Sequence, residues 1–338
     1  WVQAGGHLLL FFITASITIY FALNSMWLAF TISLFFHCTS ASFFKGIAAH
    51  ELGHGTVFKT KSLNKVFLRI YSLISWHNHH EYNISHTYHH RYTLHPEGDR
   101  EVVLPLEVIT KNPFYILQIF TLNFTGGPVT SGLIPIVKGT VLTAFGKYGE
   151  SVISKEWSKS LYTAHKEERK KAIIWARLIL LYHFLIFVLA LSTDLWALIL
   201  VFSTQQFTAN WLKYLVGLPM HCGLRDDVPD FRKCVRSITL NPISEFLYWR
   251  MNWHLEHHMF PMVPSYNLHM LHEEIKSELQ SEVDRLNEQF SNPEQLKKFV
   301  ILPRDLTIDN GELTPTLKIR RKQINENWSE MIESMYDN

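Results

Sequence analysis

Cysteine is scarce, with three residues in 338, at Cys38, Cys222 and Cys234. Their spacing matches neither a zinc ribbon, a CxxC redox pair nor an iron-sulfur pattern, which leaves ordinary reduced thiols. Charge is also sparse, at 18% of residues with a net of +2. No basic groove interleaved with aromatics occurs, and nucleic acid is excluded as a partner on that ground. No flavin, nicotinamide or haem motif is present, so any reducing equivalents must come from another protein. No internal repeat or low-complexity segment occurs. Residue 1 is Trp, so the native start is expected upstream, and nothing resembles a cleavable signal peptide.

What the chain has is apolar length: 47% of residues are hydrophobic and 14% aromatic. Runs 7–23, 26–49, 172–191 and 195–218 are each near or above the length that crosses a bilayer. Asn24 and Ser25 separate the first two, and Ser192, Thr193 and Asp194 the last two, which predicts two antiparallel hairpins. Basic residues flank the other ends: Lys59, Lys61, Lys65 and Arg69; Lys155, Lys159, Lys166, Arg169, Lys170 and Lys171; Arg225, Arg232, Lys233 and Arg236. The hairpin links carry none, so everything but those links is expected on the cytosolic side. A helix of 24 residues rises roughly 36 Å against a core of about 30 Å, so the second and fourth runs should stand proud of that surface.

The expected fold is an all-α integral membrane protein with four crossings and a cytosolic histidine-rich helical cap (1–272), followed by a small α+β tail (273–338). The broken apolar stretch 112–146, with Gly126, Gly127, Pro128, Gly132 and Pro135, suggests interfacial or re-entrant segments. Residues 150–171 read as a polar cytosolic helix. In the tail, Asn267 is an expected N-cap for a helix carrying Leu271 to Phe290, 299–302 and 305–308 are expected strands, and Ile324 to Met335 an amphipathic helix.

Histidine carries the chemistry. HELGH holds His50 and His54, HTYHH holds His86, His89 and His90, and HLEHH holds His254, His257 and His258. Each spacing puts its imidazoles on one helical face. A zinc site takes about four ligands, so eight imidazoles imply two metals, and imidazole suits iron, zinc and copper alike. His221, after the fourth run, is a ninth candidate. Glu51, Glu81, Asp99 and Glu256 could accept the outer ring N–H of ligating histidines. For His77, His79, His80 and His95 a loop or supporting role is the simpler reading. HELGH also satisfies the zinc metalloprotease pattern with Glu51 as base, but that reading leaves both HxxHH clusters without a purpose. A metal transporter would place polar residues along its spans, and these spans are largely apolar.

HELGHG, HTYHHRYTLHPEGD and NWHLEHHMFPMVPSYNL resemble the three histidine boxes of the membrane fatty acid desaturase and hydroxylase superfamily, over about residues 7–272. The resemblance implies a non-haem di-iron centre that uses O2 to remove hydrogen from an unactivated carbon. It implies His50, His54, His86, His89, His90, His254, His257 and His258 as iron ligands, with His221 matching the additional histidine after the fourth helix. The expected activity is that of a fatty acyl desaturase, with a lipid or hydrocarbon hydroxylase as the alternative. The expected partners are the bilayer, a fatty acyl substrate and an electron donor of ferredoxin, rubredoxin or cytochrome b5 type. The chain departs from acyl-CoA desaturases at Gly217, where they have Asn, and from front-end desaturases in having His254 rather than Gln and no b5 motif.

The tail segment LNEQFSNPEQLKKFVILPRDLTIDNGELTPTLKIRRKQINENWSEMIESMY resembles the end of AMP-forming long-chain acyl-CoA synthetases. In that family the lysine of LTPTLK contributes to adenylation and would correspond to Lys318. The large nucleotide-binding domain is absent, so adenylation is not expected.

Overall fold

Among the described residues of the computed structural model, three helices are long and apolar enough to cross a bilayer: Val2–Leu23, Trp27–His54 and Lys166–Thr193. The structure describes residues 1–95, 98–99, 112–126, 132–148, 155–228, 230–300, 302 and 306–336. It divides into two compact units, Trp1–His269 and Met270–Asn338.

Helix α1 (Val2–Leu23) turns at Asn24 to Met26 into α2 (Trp27–Ala41), and the two pack together. Their interface buries histidines that are satisfied locally. His7 Nε2 lies 3.1 Å from Ser40 O, and His37 lies 2.8 Å from Thr14 Oγ1 and 3.0 Å from Val201 O. The second spanning helix is not regular: Phe44–Ala48 forms a π-turn in which Lys45 is extended (φ −84°, ψ 128°) and Gly46 takes φ 78°. Only glycine adopts that angle without strain. The chain then resumes as α3 (Ala49–His54), which Gly55 ends in the left-handed conformation. Residues 27–54 rise roughly 42 Å at helical pitch, beyond a hydrocarbon core of about 30 Å, and the first histidine box is the far end.

Helix α4 (Lys61–Ile74) packs on the π-turn and α3, and α5 (His79–Tyr92) packs on α3, α4 and α9. Helices α6 (Pro113–Phe120) and α7 (Leu133–Ala144) are too short to span, as the glycine and proline breaks predict; Gly127 and Pro128 lie outside the described residues. The expected polar helix 150–171 is α8 (Lys155–Ala164) followed at His165 by the start of α9 (Lys166–Thr193), with 150–154 outside the described residues.

The fourth apolar run is not one helix. It is α10 (Ala197–Phe202), a 3-10 turn Gln205–Phe207, α11 (Trp211–Gly217) and a second 3-10 turn Leu218–Met220. The break falls on a polar stretch whose backbone finds partners in protein. Ser203 O accepts from Trp76 Nε1 at 2.8 Å, Phe207 O from Asn123 N at 2.8 Å, and Ala209 N donates to Thr121 O at 3.0 Å. Hydropathy alone averages over these residues, whereas irregular backbone at this depth is viable only when buried in protein. Beyond it come α12 (Phe231–Cys234), α13 (Pro242–Leu247) and α14 (His254–Met259).

Further on, a 3-10 turn at Ser265–Asn267 runs directly into α15 (Leu268–Asn287), with Asn267 the residue before its first turn. Among the described residues the tail holds no strand, only one isolated bridge between Leu313 and Ile319. Residues 301 and 305 of the expected strands lie outside those described. The segment folds instead around buried Glu312, whose carboxylate accepts from Thr307 N at 3.0 Å, Trp328 Nε1 at 3.0 Å and Asn327 Nδ2 at 3.1 Å. The last helix is broken at Trp328 into α16 (Arg321–Asn327) and α17 (Ser329–Ser334).

Candidate metal centre

Each histidine box is held in place by contacts outside itself. The first box follows the π-turn, whose Phe44 packs edge-on to Tyr71 at 4.5 Å, while Tyr71 Oη donates to Ala4 O at 2.7 Å. The second box lies on α5, whose start is capped by Asn78 accepting from Glu81 N. Asn78 Nδ2 also donates to Ala172 O at 2.9 Å, and Trp175 Nε1 to His77 O at 3.0 Å, fixing α5 to α9. The third box follows fully buried Trp249, whose Nε1 donates to His7 Nδ1 at 2.9 Å. Truncating such a side chain costs about 3–5 kcal/mol, so this tryptophan is a main anchor of α14 against α1.

The three boxes meet. His50, His54, His86, His90 and His257 form one group and His89, His221 and His258 another, each with candidate ligand atoms within 4.8 Å of one another. His254 joins the second: its Nε2 lies 3.0 Å from that of His221 and 3.2 Å from that of His258. In the first group, Nε2 of His54 and His86 are 3.0 Å apart, and of His90 and His257 3.2 Å. All nine expected histidines are thus brought together, five in one group and four in the other.

These nitrogens suit a metal better than one another. His89 Nδ1 donates to Asp99 Oδ2 at 2.8 Å and His221 Nδ1 to Cys234 O at 2.9 Å. Thr93 Oγ1, which donates to His89 O, stands 3.1 Å from His258 Nδ1 and accepts from it. With the proton on Nδ1, each of these three rings turns a bare Nε2 lone pair inward. One proton on His254 could not serve both the His221 and His258 lone pairs. Two ligand atoms at about 2.0–2.1 Å from a shared ion stand about 2.9–3.4 Å apart, which is the spacing seen. Burial, reinforced by neighbouring imidazoles, holds His86, His254, His257 and His258 well below the usual imidazole value, so these rings are neutral at neutral pH.

The four expected carboxylates divide. Asp99 contacts a histidine of the four-membered group directly. Glu51 Oε1 lies 2.9 Å from His50 Nδ1 and 3.7 Å from His257 Nδ1, buried between the first and third boxes. Glu81 faces the other way, accepting from Thr143 Oγ1 at 3.0 Å with Arg169 Nη1 at 3.5 Å. Glu256 accepts from Ser237 Oγ, a contact that ties α14 to the preceding loop. Sequence reasoning missed Thr93, the Cys234 carbonyl and Tyr82, whose hydroxyl is 3.3 Å from His86 Nδ1. Neutral groups and backbone carry no pattern that marks them, although Thr93 and Tyr82 do sit one turn from box-two histidines. Gly217 contributes no side chain here; a Cβ on it would meet the Tyr248 hydroxyl at 3.6 Å.

The profile of the fatty acid desaturase family matches residues 25–290, which include every histidine of both groups. The chain belongs to that family. That family is one of oxidoreductases that typically bind two irons through histidines, and the apolar helices of this chain fit a membrane protein. A second likeness is confined to the C-terminal region, as the tail sequence leads one to expect. There, 61 residues are 43% identical to the long-chain-fatty-acid–CoA ligase FadD15 of Mycobacterium tuberculosis, covering 18% of this chain and 10% of the ligase. A stretch of 59 residues is 37% identical to the long-chain-fatty-acid–CoA ligase ACSBG2 of Mus musculus, covering 17% of this chain and 9% of the ligase. The chain spans about a tenth of the length of those ligases.

Proposed function

We propose that the chain is a membrane-bound, O2-dependent non-haem di-iron oxidoreductase that desaturates a fatty acyl chain. The observation that carries this reading is the division of nine histidines, seven buried and two (His54 and His90) half-buried, into a group of five and a group of four inside a desaturase-family unit. His50, His54, His86, His90 and His257 would hold one iron, and His89, His221, His254 and His258 the other. Bound iron supplies O2 activation and hydrogen abstraction. The chain's own residues orient the imidazoles: Asp99, Thr93 and the Cys234 carbonyl hold protons on Nδ1, and Glu51 places a carboxyl oxygen beside the Nδ1 atoms of His50 and His257. Burial keeps bulk water from the site.

Four crossings are proposed, the fourth being the broken segment 195–218, with the histidines and C-terminus on the cytosolic side. The lysine and arginine distribution supports that orientation. Residues 1–272 would be the oxidoreductase and 273–338 a synthetase-like appendage. Lys318 is exposed there, its backbone paired with Thr314. Electrons would come from a separate ferredoxin, rubredoxin or cytochrome b5 type protein docking on the basic cytosolic face, and turnover that is insensitive to salt would count against that docking.

Hydroxylation by the same centre is the second reading, because the family supports an oxidoreductase of desaturase or hydroxylase type. The peptidase reading of HELGH has a group of five histidines where a zinc hydrolase takes three protein ligands. Metal analysis of purified protein tests the proposal: about two irons per chain support it and a single zinc overturns it. Isotopically labelled O2 separates the two oxidations, since label in the organic product refutes desaturation.

A further inference from the structure

Lys45 and Lys213 place two ammonium groups within segments proposed to cross the bilayer, where charge is costly and persists mainly where it has a task. Lys45 sits at the break of the second spanning helix, five residues before His50. Lys213, on α11, donates its Nζ to Lys45 O at 2.6 Å, a carbonyl that the break has released from the helical ladder. Among the described residues neither ammonium has a carboxylate within ion-pair distance, and Lys45 Nζ meets no hydrogen-bond acceptor. Glu81, the acid in electrostatic reach of Lys45, is already engaged by Thr143 and Arg169. Counted by residue type, three basic side chains here (Lys45, Lys213 and Arg169) face one acidic one (Glu81), a formal excess of two positive charges. Both lysines are half-buried, so their side chains keep surface that a ligand can reach.

The pair also lies close to the histidine groups. His77, buried with no partner on Nε2, is in electrostatic reach of both lysines. Its ring meets that of Tyr82 at 4.8 Å, and Tyr82 stacks on His86 at 5.0 Å. Two aromatic rings, those of His77 and Tyr82, thus lie between the lysines and the five-histidine group.

We propose that Lys45 and Lys213 receive the anionic end group, carboxylate or phosphate, of the acyl substrate. The proposal rests on the acyl-oxidoreductase reading and narrows it: the substrate is a charged amphiphile rather than a neutral ester or hydrocarbon. Anchoring one end of the chain also sets which of its carbons faces the histidines.

Binding of radiolabelled palmitate, methyl palmitate and a lysophosphatidic acid to the detergent-solubilised, iron-loaded full chain tests this without turnover. Wild type should hold palmitate or the lysophosphatidic acid at least about tenfold more tightly than methyl palmitate, the factor one charge-assisted hydrogen bond supplies. Whichever anion binds more tightly identifies the source of the end group. Lys45→Met and Lys213→Met, with iron content retained, should each erase the preference, and Lys45→Arg should keep it. Equal wild-type affinity for acid, phosphate and ester overturns the proposal, whether or not the variants fold. So does equal weakening of all three probes in the Met variants. Acyl oxidation without charge preference would sink this subsite and leave the function standing; charge-selective binding with no oxidation of any acyl chain would do the reverse.

Discussion

Replacing Asp99 by Asn removes one charge from the supports of the four-histidine group and changes little else. Asp99 is buried, and its Oδ2 accepts from both His89 Nδ1 at 2.8 Å and Leu94 N at 2.9 Å. The amide oxygen of Asn can occupy that place and accept both, so the loop after α5 should keep its path. What goes is the negative charge that makes the His89 Nε2 lone pair more basic. Loss of such a support costs about 10- to 100-fold in metal affinity, or about 1.4–2.8 kcal/mol. Asp99→Ala is a harsher test, because two buried N–H groups lose their acceptor at about 1–3 kcal/mol each. The assay is iron per chain after dialysis against graded chelator. Asp99→Asn should release about half the iron at a chelator concentration that wild type withstands, since the histidine contact given for the carboxylate, His89, belongs to the four-histidine group. Release of both irons together, or of neither, would refute the assignment of Asp99 to one group.

Acidification provides a second test. The folded protein resists protonating His86, His254, His257 and His258, whereas an unfolded chain takes up protons at about pH 6.5. Stability of the iron-free protein should therefore be full above that value and fall as pH drops below it, and iron retention should fall in the same window. Unfolding midpoints and bound iron that stay flat down to about pH 5 would contradict this. In the tail, Glu312→Gln leaves at least one of the donors Thr307 N, Asn327 Nδ2 and Trp328 Nε1 without an acceptor. A cost of about 1–3 kcal/mol is expected, seen as faster amide exchange between 306 and 336; exchange equal to wild type would show that the buried carboxylate does not organise the segment.

The histidine positions were legible because ligand spacing on a helix is a linear property: i, i+3 and i+4 are visible before any folding. Their division into two groups was not, since it depends on how α3, α5 and α14 converge, and two adjacent residues such as His89 and His90 fall into different groups. The supports were half legible. Carboxylates near histidines can be guessed, and Asp99 and Glu51 do face the groups, but Glu81 and Glu256 are equally near in sequence and turn to Thr143 and Ser237 instead. A carbonyl such as that of Cys234 leaves no trace in a sequence at all.

The fourth apolar run shows why hydropathy mislaid the remaining part of the fold. Ser203, Thr204, Gln205, Gln206, Thr208 and Asn210 are six polar residues in eight positions, and a mean over the run dilutes them. In the structure they break the helix, and Gln205 Nε2 donates to Ile74 O at 2.8 Å at the end of α4. The break ties the fourth segment to the start of the second-box region rather than letting it run past. It also turns α11, so that Lys213 reaches the carbonyl released at Lys45 and the following turns bring His221 to His254. The second spanning helix is interrupted at Lys45 and Gly46, just before its own histidines. Two interruptions on facing segments, joined by one hydrogen bond, set the height of histidines on both, and a straight helix in either place would put its histidines elsewhere.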